Sequence, residues 1–370
     1  MNTVDCRKRV TKIEKKNCKK LSLIKTKYEW LNQLAYGSNL NLLINIWLSI
    51  FAVNSRKLSN PNWVLSQIKS IKEFQFSTYE NLIYSQITNP GLLFYLNAFK
   101  NRRNNPNENL GRELLELYTV GEGNFTESDV KNTSLALTGL YLGFDNEVRI
   151  SQKHHFQGET LILNKKKKFN LKSLINWLVQ QPSTAENICK RFCNYLLGEE
   201  INIKDLNEII QQFKDSNLDL KVLYTSISKH EKYLKCQQFG TRLIDPSTLV
   251  AKSINLIGSK HQNNYEIGTR ILKLMGQPLL EPPNPKGWPY GEGWINSSRN
   301  FNRKRGLKML LADEEIWETK NTPNLLTKDL VPFDPLNIIL PAEPNRENIS
   351  KLFADPSWNF SGPIDLVIES

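Results

Sequence analysis

Residues 40–51 read LNLLINIWLSIF, and this stretch decides the fold class. Its apolar side chains recur at the three- and four-residue spacing of one helical face, at Leu40, Leu43, Ile44, Trp47, Ile50 and Phe51. Similar spacing appears between residues 61 and 118 and again between residues 171 and 311. The sequence therefore predicts a mainly α protein, with a multi-helical globular body over residues 28–311.

The spacing of apolar residues changes between Gly139 and Leu163. Short apolar runs alternate there with the turn-forming pairs Asp145-Asn146 and Gln157-Gly158. This pattern predicts a small β-ribbon inserted into the helical body around residues 140–163. The four lysines of residues 165–168 are expected to form a solvated turn after it.

The two ends of the chain carry opposite charge. Residues 1–30 hold ten Lys and Arg against three acidic residues, and residues 312–370 hold eleven acidic residues against four basic ones. Residues 1–27 are therefore expected to form a basic, flexible arm. The residues beyond Lys320 contain seven of the seventeen prolines. We expect residues 312–370 to be a Pro-rich acidic tail packed on the body in extended form, not a separate domain.

The net charge of +12 raises the question of nucleic-acid binding. The opposite charge of the two ends weakens that interpretation, since a basic arm can lie against an acidic tail. The chain is also rich in Lys, Asn and Ile, which adenine- and thymine-rich codons supply. Nucleic acid is therefore a disfavoured partner, and binding of a polyanion by the arm is the alternative.

No apolar run is long enough to span a bilayer. The best candidate, residues 40–53, is interrupted by Asn41, Asn45 and Ser49. A secretory signal is not recognised either, and the expected location is the cytoplasm. Cys189 and Cys193 share one face of an expected helix and are expected to be buried, a metal pair being the alternative. No metal and no cofactor is predicted.

The first unusual segment covers residues 106–121 and reads PNENLGRELLELYTVG. On a helix, Glu108, Arg112 and Glu116 follow one another at four-residue intervals, so the guanidinium lies between two carboxylates. An exposed ladder of this kind is a surface feature, whereas a buried one suits binding or catalysis. The candidate catalytic residues are Glu108, Arg112, Glu113 and Glu116.

The second segment covers residues 282–296 and reads PPNPKGWPYGEGWIN. This turn-rich loop carries Trp288, Tyr290 and Trp294 beside Lys286. Aromatic faces next to polar groups suit stacking on a sugar or a base. The alternative is that a long loop buries its own aromatic side chains in order to stay ordered. These four residues are candidate ligand-binding residues.

The two segments, in this order, resemble signatures of the bacterial domain-of-unknown-function family 1800. The first resembles its Asn-Glu-Asn…Arg-Glu-Leu-x-Glu-Leu motif, and the second its Pro-Pro-Asn-x-Lys-Gly-Trp-Pro…Trp-Ile motif. An Arg that follows the second motif falls on Arg303, which joins the candidate ligand-binding residues. The resemblance covers roughly residues 40–310. It implies a helical fold and a bacterial origin but no established activity. It also implies proteins that are often exported and often encoded beside another uncharacterised family.

The chain departs from this family's pattern at histidine positions. Many members have Trp-His-x-His where this chain has Trp47-Leu48-Ser49-Ile50, and His where it has Tyr118. A His-Asp pair is replaced by His155-Phe156. If the family has a His-dependent site, these changes imply that this copy has lost it.

Two functional hypotheses follow. The first is a non-catalytic or degenerate binding or scaffold protein that holds a partner protein, encoded nearby, or a polymer between the loop of Trp288 and Trp294 and the helix of Glu108 and Arg112. The second is a hydrolase-like enzyme that acts on a polymer or an ester through the Glu108/Arg112/Glu113/Glu116 cluster. Both expect helix 107–118 and loop 284–296 to pack together. Arg112 would then donate to the carbonyl groups of a loop rich in Pro.

Overall fold

The computed structural model describes residues 12–38, 40–258, 262–312, 314, 345–363 and 366. These residues form sixteen α-helices, so the mainly α prediction is confirmed. The first nine are Lys12–Tyr36 (α1), Leu40–Ile50 (α2), Asn62–Phe74 (α3), Tyr79–Ile87 (α4), Pro90–Tyr95 (α5), Asn109–Glu116 (α6), Glu127–Ala136 (α7), Leu171–Val179 (α8) and Pro182–Leu197 (α9). The other seven are Asn207–Asp215 (α10), Leu220–Ser228 (α11), Glu231–Phe239 (α12), Pro246–Ile257 (α13), Gln262–Leu274 (α14), Ser297–Leu311 (α15) and Arg346–Ala354 (α16).

Three two-stranded antiparallel sheets accompany the helices in the described part of the chain. The pairs are Leu140–Leu142 (β1) with Val148–Ile150 (β2), Thr160–Ile162 (β3) with Lys165–Lys167 (β4), and Arg242–Leu243 (β5) with Phe360–Ser361 (β6). The first two pairs confirm the inserted β structure, as two hairpins in place of one ribbon. The expected lysine turn is in fact the exposed strand β4.

The core is centred on Trp47 of α2, which is fully buried. Its ring packs against Phe51, Tyr79 and Phe192 at centroid distances of 5.2–6.1 Å. Its indole N–H donates a 2.8 Å hydrogen bond to the hydroxyl of Tyr224. The stretch with the clearest helical spacing is therefore the helix around which α4, α9 and α11 assemble.

The basic segment differs from the expected flexible arm, because α1 begins at Lys12. Thr26 is buried, and Lys27 Nζ forms a 2.6 Å ion pair with Glu281 Oε1 in which both side chains are largely covered. The helix packs against α13, and Trp30 contributes to the core. Residues 12–27 are therefore helical and pack on the body at Thr26 and Lys27, whereas flexibility of the arm stays a prediction; residues 1–11 lie outside the described residues.

The acidic tail returns to the body over its described part. Helix α16 packs against α15, so this section is partly helical where an extended chain was expected. Trp358 is fully buried and donates through its indole N–H to Ser253 Oγ at 3.0 Å. Residues 313, 315–344, 364–365 and 367–370 of the tail lie outside the described residues. Among the helices that are described, none is both long enough and apolar enough to cross a bilayer.

Candidate functional site

The carboxylates of α6 divide between two environments. Arg112 binds Glu127 of α7 with two 2.7 Å hydrogen bonds and reaches Glu108 at 3.4 Å. These side chains are substantially exposed, as a surface ladder would be. Glu116 is not part of this ladder, since its Oε1 forms an ion pair with Lys286 Nζ at 3.1 Å. The predicted ion pair between Arg112 and Glu116 is therefore wrong. The guanidinium of Arg112 binds Glu127 of α7 in place of Glu116.

Glu113 lies on the same helix face as Glu116 and is half-buried. No hydrogen bond or ion pair reaches its carboxylate from the described residues. Burial, and then the charge of Glu116, raise the pKa of Glu113 above its ordinary value. Lys286 and Arg191 act in the opposite direction and do not cancel this rise. Glu113 is therefore the candidate carboxylate that the described residues leave unpaired.

Residues 284–296, here called the aromatic loop, lie tightly against the helical body. Gly287 has φ +91°, and a Cβ at this position would overlap the carbonyl oxygen of Ser49 at the end of α2. Gly291 has φ +49°, and a Cβ there would overlap the carbonyl oxygen of Gly198, which ends α9. Two glycines with left-handed backbone thus allow the loop to contact two helix ends directly.

The aromatic side chains attach this loop to α9. The hydroxyl of Tyr195 donates to the carbonyl oxygen of Trp288 at 2.7 Å, and its ring meets Tyr290 edge-on at 5.5 Å. Trp294 is 1% exposed, and its ring lies 6.1 Å from that of Trp288. Trp294 is therefore buried by the loop itself, as the alternative to ligand binding predicted, whereas Trp288 and Tyr290 are half-buried.

Arg303 lies in the interior behind the loop and is 4% exposed. It donates to the carbonyl oxygen of Ile244 at 3.0 Å and to Asn359 Oδ1 at 3.2 Å, which joins α15 to the β5–β6 region. Burial lowers the pKa of Arg303 to about 10 although Asp245 lies close by. A second buried arginine, Arg242, forms an ion pair with Asp245 at 3.7 Å.

Asp245 begins α13 as its N-cap. Its carboxylate accepts hydrogen bonds from the backbone N–H groups of Ser247 and Thr248 and from the hydroxyl group of Thr248. Burial alone would raise the pKa of Asp245, but the charge of Arg242 and these hydrogen bonds outweigh it and hold the pKa below its ordinary value. Burial lowers the pKa of Arg242, since an ion pair at 3.7 Å offsets only part of its desolvation.

A small cavity separates the loop from this pair. Its volume is 30 Å³, and its wall includes Ser49, Arg242, Asp245, Gln277, Trp288 and Trp294. It is the point at which the aromatic loop, α2 and the start of α13 meet. Helix α6, which was predicted to pack against the loop, contacts it outside this cavity. The aromatic loop and α6 do meet, through the ion pair between Lys286 and Glu116. The predicted contact between Arg112 and the loop is wrong, because Arg112 pairs with Glu127.

Residues 8–354 match the protein family described as "Protein of unknown function (DUF1800)". The chain belongs to this family. The match extends on both sides of the motifs and includes α1, the aromatic loop and α16. No curated protein and no solved structure matches the chain. Because the DUF1800 description states no activity, a function has to be argued from the geometry.

Of the positions at which the resemblance to DUF1800 implies histidine, Leu48 is half-buried and the others are core positions. Ile50 and Tyr118 are fully buried, and the Tyr118 ring packs 5.2 Å from Phe51. The Tyr118 hydroxyl has no hydrogen-bond partner within the described residues. His155 is buried and its Nδ1 lies 2.8 Å from the carbonyl oxygen of Thr138, a structural contact.

Sequence reasoning missed Arg242 and Asp245. The order Asp245-Pro246 is a helix-start signal, since Asp is a preferred N-cap and Pro a preferred first helical residue. That signal locates the cap but not its buried ion pair with Arg242, which only tertiary packing creates. Cys189 and Cys193, which could have formed a metal pair, are buried free thiols of α9.

Proposed function

We propose that this chain is a non-catalytic binding protein that holds a partner protein where α6 meets the aromatic loop. The observation that carries this proposal is Glu113, a half-buried carboxylate with a raised pKa and no partner among the described residues. A half-buried charge without a partner loses part of its hydration, which costs free energy. A Lys or Arg side chain of another protein would relieve that cost, so Glu113 is suited to receive one.

The surroundings of Glu113 favour a protein partner over a polymer. Lys286 is largely exposed while its ion-pair partner Glu116 is mostly covered, so the surface presents a positive group beside a negative one. Such alternation recognises a surface with both charges. A neutral polysaccharide would instead need exposed aromatic faces, and in the aromatic loop Trp294 is buried while Trp288 and Tyr290 are half-buried. Burial of Ile50 and Tyr118 at family histidine positions supports a non-catalytic role.

The test uses the purified chain and the purified product of the gene next to its own. We expect a complex by size-exclusion chromatography, with a dissociation constant measured by calorimetry. Glu113→Gln should weaken this complex about tenfold, because a charge-assisted hydrogen bond is lost. Glu108→Gln is the matched control on the exposed side of α6 and should change affinity less than twofold. Absence of a complex, or equal effects of both variants, would refute the proposal.

A hydrolase is the second candidate, and one observation favours it. Glu113 is the kind of carboxyl group that can act as a general acid, since burial raises its pKa, while Glu116 on the same face is paired with Lys286. A hydrolase of this design should cleave aryl esters or aryl glycosides and lose this activity in both Glu113→Gln and Glu116→Gln. Full activity in either variant, or none in the wild type, would exclude these substrates for this site.

The proposal also includes a cytoplasmic location and a partner encoded nearby, without nucleic acid. The exclusion of nucleic acid is supported at Lys27, which forms an ion pair with Glu281 and is not free to contact a polyanion. Fractionation of cells that express the tagged native gene tests the location. Recovery of the protein outside the cytoplasm would contradict it.

A further inference from the structure

A second cavity lies beside the hairpin of β1 and β2, away from the aromatic loop. Its volume is 280 Å³, and eight described residues line it, from positions 99–102, from positions 139–141 and from the turn after β2 at positions 151–154. Cavities that bind small molecules commonly have volumes of about 300–1,000 Å³. This cavity therefore has room for one small molecule at the lower end of that range.

Backbone hydrogen bonds hold the three segments of the wall together. The N–H of Gly139 donates to the carbonyl oxygen of Asn101 at 2.9 Å, and its carbonyl oxygen accepts from the N–H of Ser151 at 2.8 Å. The N–H of Arg103 donates to the carbonyl oxygen of His154 at 3.0 Å. Gly139 has φ +82°, and a Cβ there would lie only 2.8 Å from the carbonyl oxygen of Ser151. The wall is thus built by the fold and does not need a ligand to form it.

The charge around this cavity is positive. Arg102 and His154 both line it, and Nη1 of Arg102 donates to Nε2 of His154 at 3.2 Å. Partial burial lowers the pKa of His154 below its ordinary value, and the positive charges of Arg102, Lys153 and Arg103 lower it further. Among the described residues, no carboxylate forms an ion pair with any of these three cations, and none of the eight lining residues is acidic. The cavity therefore attracts an anion.

The wall combines free donors with apolar surface. The guanidinium of Arg102 retains N–H groups beyond the one that His154 accepts, and the hydroxyl group of Ser151 has no hydrogen-bond partner among the described residues. The rest of the wall includes the side chains of Phe99, Leu140 and Tyr141. A ligand that fits both parts has an anionic head and an apolar body.

We infer that this cavity binds a phosphate monoester of a small apolar molecule, with Arg102 and Ser151 holding the phosphate group. A phosphate monoester carries a charge of about −1.5 to −2 at pH 7 and offers three acceptor oxygens, which suits a site near three cations better than the single charge of a carboxylate or a sulfate. The guanidinium fork also matches phosphate geometry. A strand of nucleic acid would need a groove that continues along its backbone, whereas this cavity holds one small molecule. The site shares no residue with the surface around Glu113 and does not rest on the proposed partner.

The test is isothermal titration calorimetry of the full-length protein with phenyl phosphate at pH 7.5, where the phosphate group is close to a dianion. Phenyl sulfate has the same shape with one charge less, and inorganic phosphate lacks the organic group. At constant ionic strength we expect saturable binding of phenyl phosphate at one site, with both control ligands at least about tenfold weaker. No saturable binding, or equal affinity for either control ligand, would overturn the inference. Tighter binding of a single-stranded oligonucleotide than of phenyl phosphate would also overturn it.

Three variants locate the binding site. Arg102→Gln should raise the dissociation constant of phenyl phosphate about tenfold or more, because a charge-assisted hydrogen bond is lost. Arg149→Gln is the matched control, since Arg149 is an exposed arginine of β2 that pairs with Asp145 and does not line the cavity. It should change the affinity less than about twofold. Ser151→Ala leaves the charge unchanged and should weaken binding about tenfold, so it decides if Arg102→Gln loses the circular dichroism spectrum of the wild type. Wild-type affinity in folded Arg102→Gln or in Ser151→Ala would refute the site.

Discussion

Replacement of Asp245 by Asn removes one charge from the buried pair and one acceptor, the Oδ2 atom that receives the hydroxyl of Thr248. Asn can still accept hydrogen bonds from the backbone N–H groups of Ser247 and Thr248, so the N-cap of α13 is retained. What is lost is the negative charge that faces Arg242 at 3.7 Å. Because Arg242 is 6% exposed, water cannot take over that role.

The expected loss follows from these two facts. Breaking a buried ion pair by removing one partner costs roughly 3–5 kcal/mol. We take the lower end, about 3 kcal/mol, because the pair is longer than a hydrogen bond and Arg242 borders a cavity. Asp245→Ala also loses the cap, and should cost about 1 kcal/mol more. The double variant Arg242→Met/Asp245→Asn removes both charges and should return to within about 1 kcal/mol of the wild type.

Urea unfolding followed by tryptophan fluorescence and by circular dichroism at 222 nm measures these differences. The pKa of Asp245 is lowered in the folded protein, so its contribution is complete above the unfolded value of 3.8 and is lost as the pH falls through the lower folded value. The difference in unfolding free energy between wild type and Asp245→Asn should therefore be constant from pH 5 to pH 8. Below pH 5 this difference should decrease. A loss under 1 kcal/mol, or a double variant as unstable as the single one, would refute the reasoning.

Three other variants test the rest of the structure by the same unfolding assay. Arg112→Ala should cost under about 1 kcal/mol, because its ion pairs are solvent-exposed; a loss near 3 kcal/mol would place Arg112 in a buried network. Tyr224→Phe should cost about 1–3 kcal/mol because it leaves the buried Trp47 indole unpaired, and an unchanged midpoint would contradict that hydrogen bond. Lys252→Met should stabilise the protein at pH 7. Burial lowers the pKa of Lys252 to about 8, so the folded state disfavours its charged form. This gain should shrink as the pH rises from 8 to 10.5, where the unfolded chain also loses the proton, and a gain that stays constant would contradict it.

The sequence predicted well those features that depend on neighbouring residues. The helical spacing of residues 40–51 located α2, and Thr126 and Asp129, three residues apart, form a capping box at the start of α7. The motif of residues 106–121 also gave the correct helix. Helical spacing and caps are local, and local chemistry is sufficient to define them.

The sequence could not predict which charged side chains pair with one another in the folded protein. Arg112 was expected to reach the loop, but Glu127 lies only fifteen residues further along the chain and offers two carboxylate oxygens. Lys27 was expected to lie in a flexible arm, yet its ion-pair partner Glu281 is 254 residues away. No pattern of neighbouring residues encodes such a distance. Charged side chains accept many partners, so spacing alone does not decide among them.

The two segments of the proposed interface are joined through α9. Tyr195 of this helix donates to the carbonyl group of Trp288 in the aromatic loop, and Arg191 donates to the carbonyl group of Leu117, which ends α6. Because one helix holds both segments, Lys286 of the loop and Glu113 of α6 have a fixed relative position, which recognition of a partner with complementary charges requires.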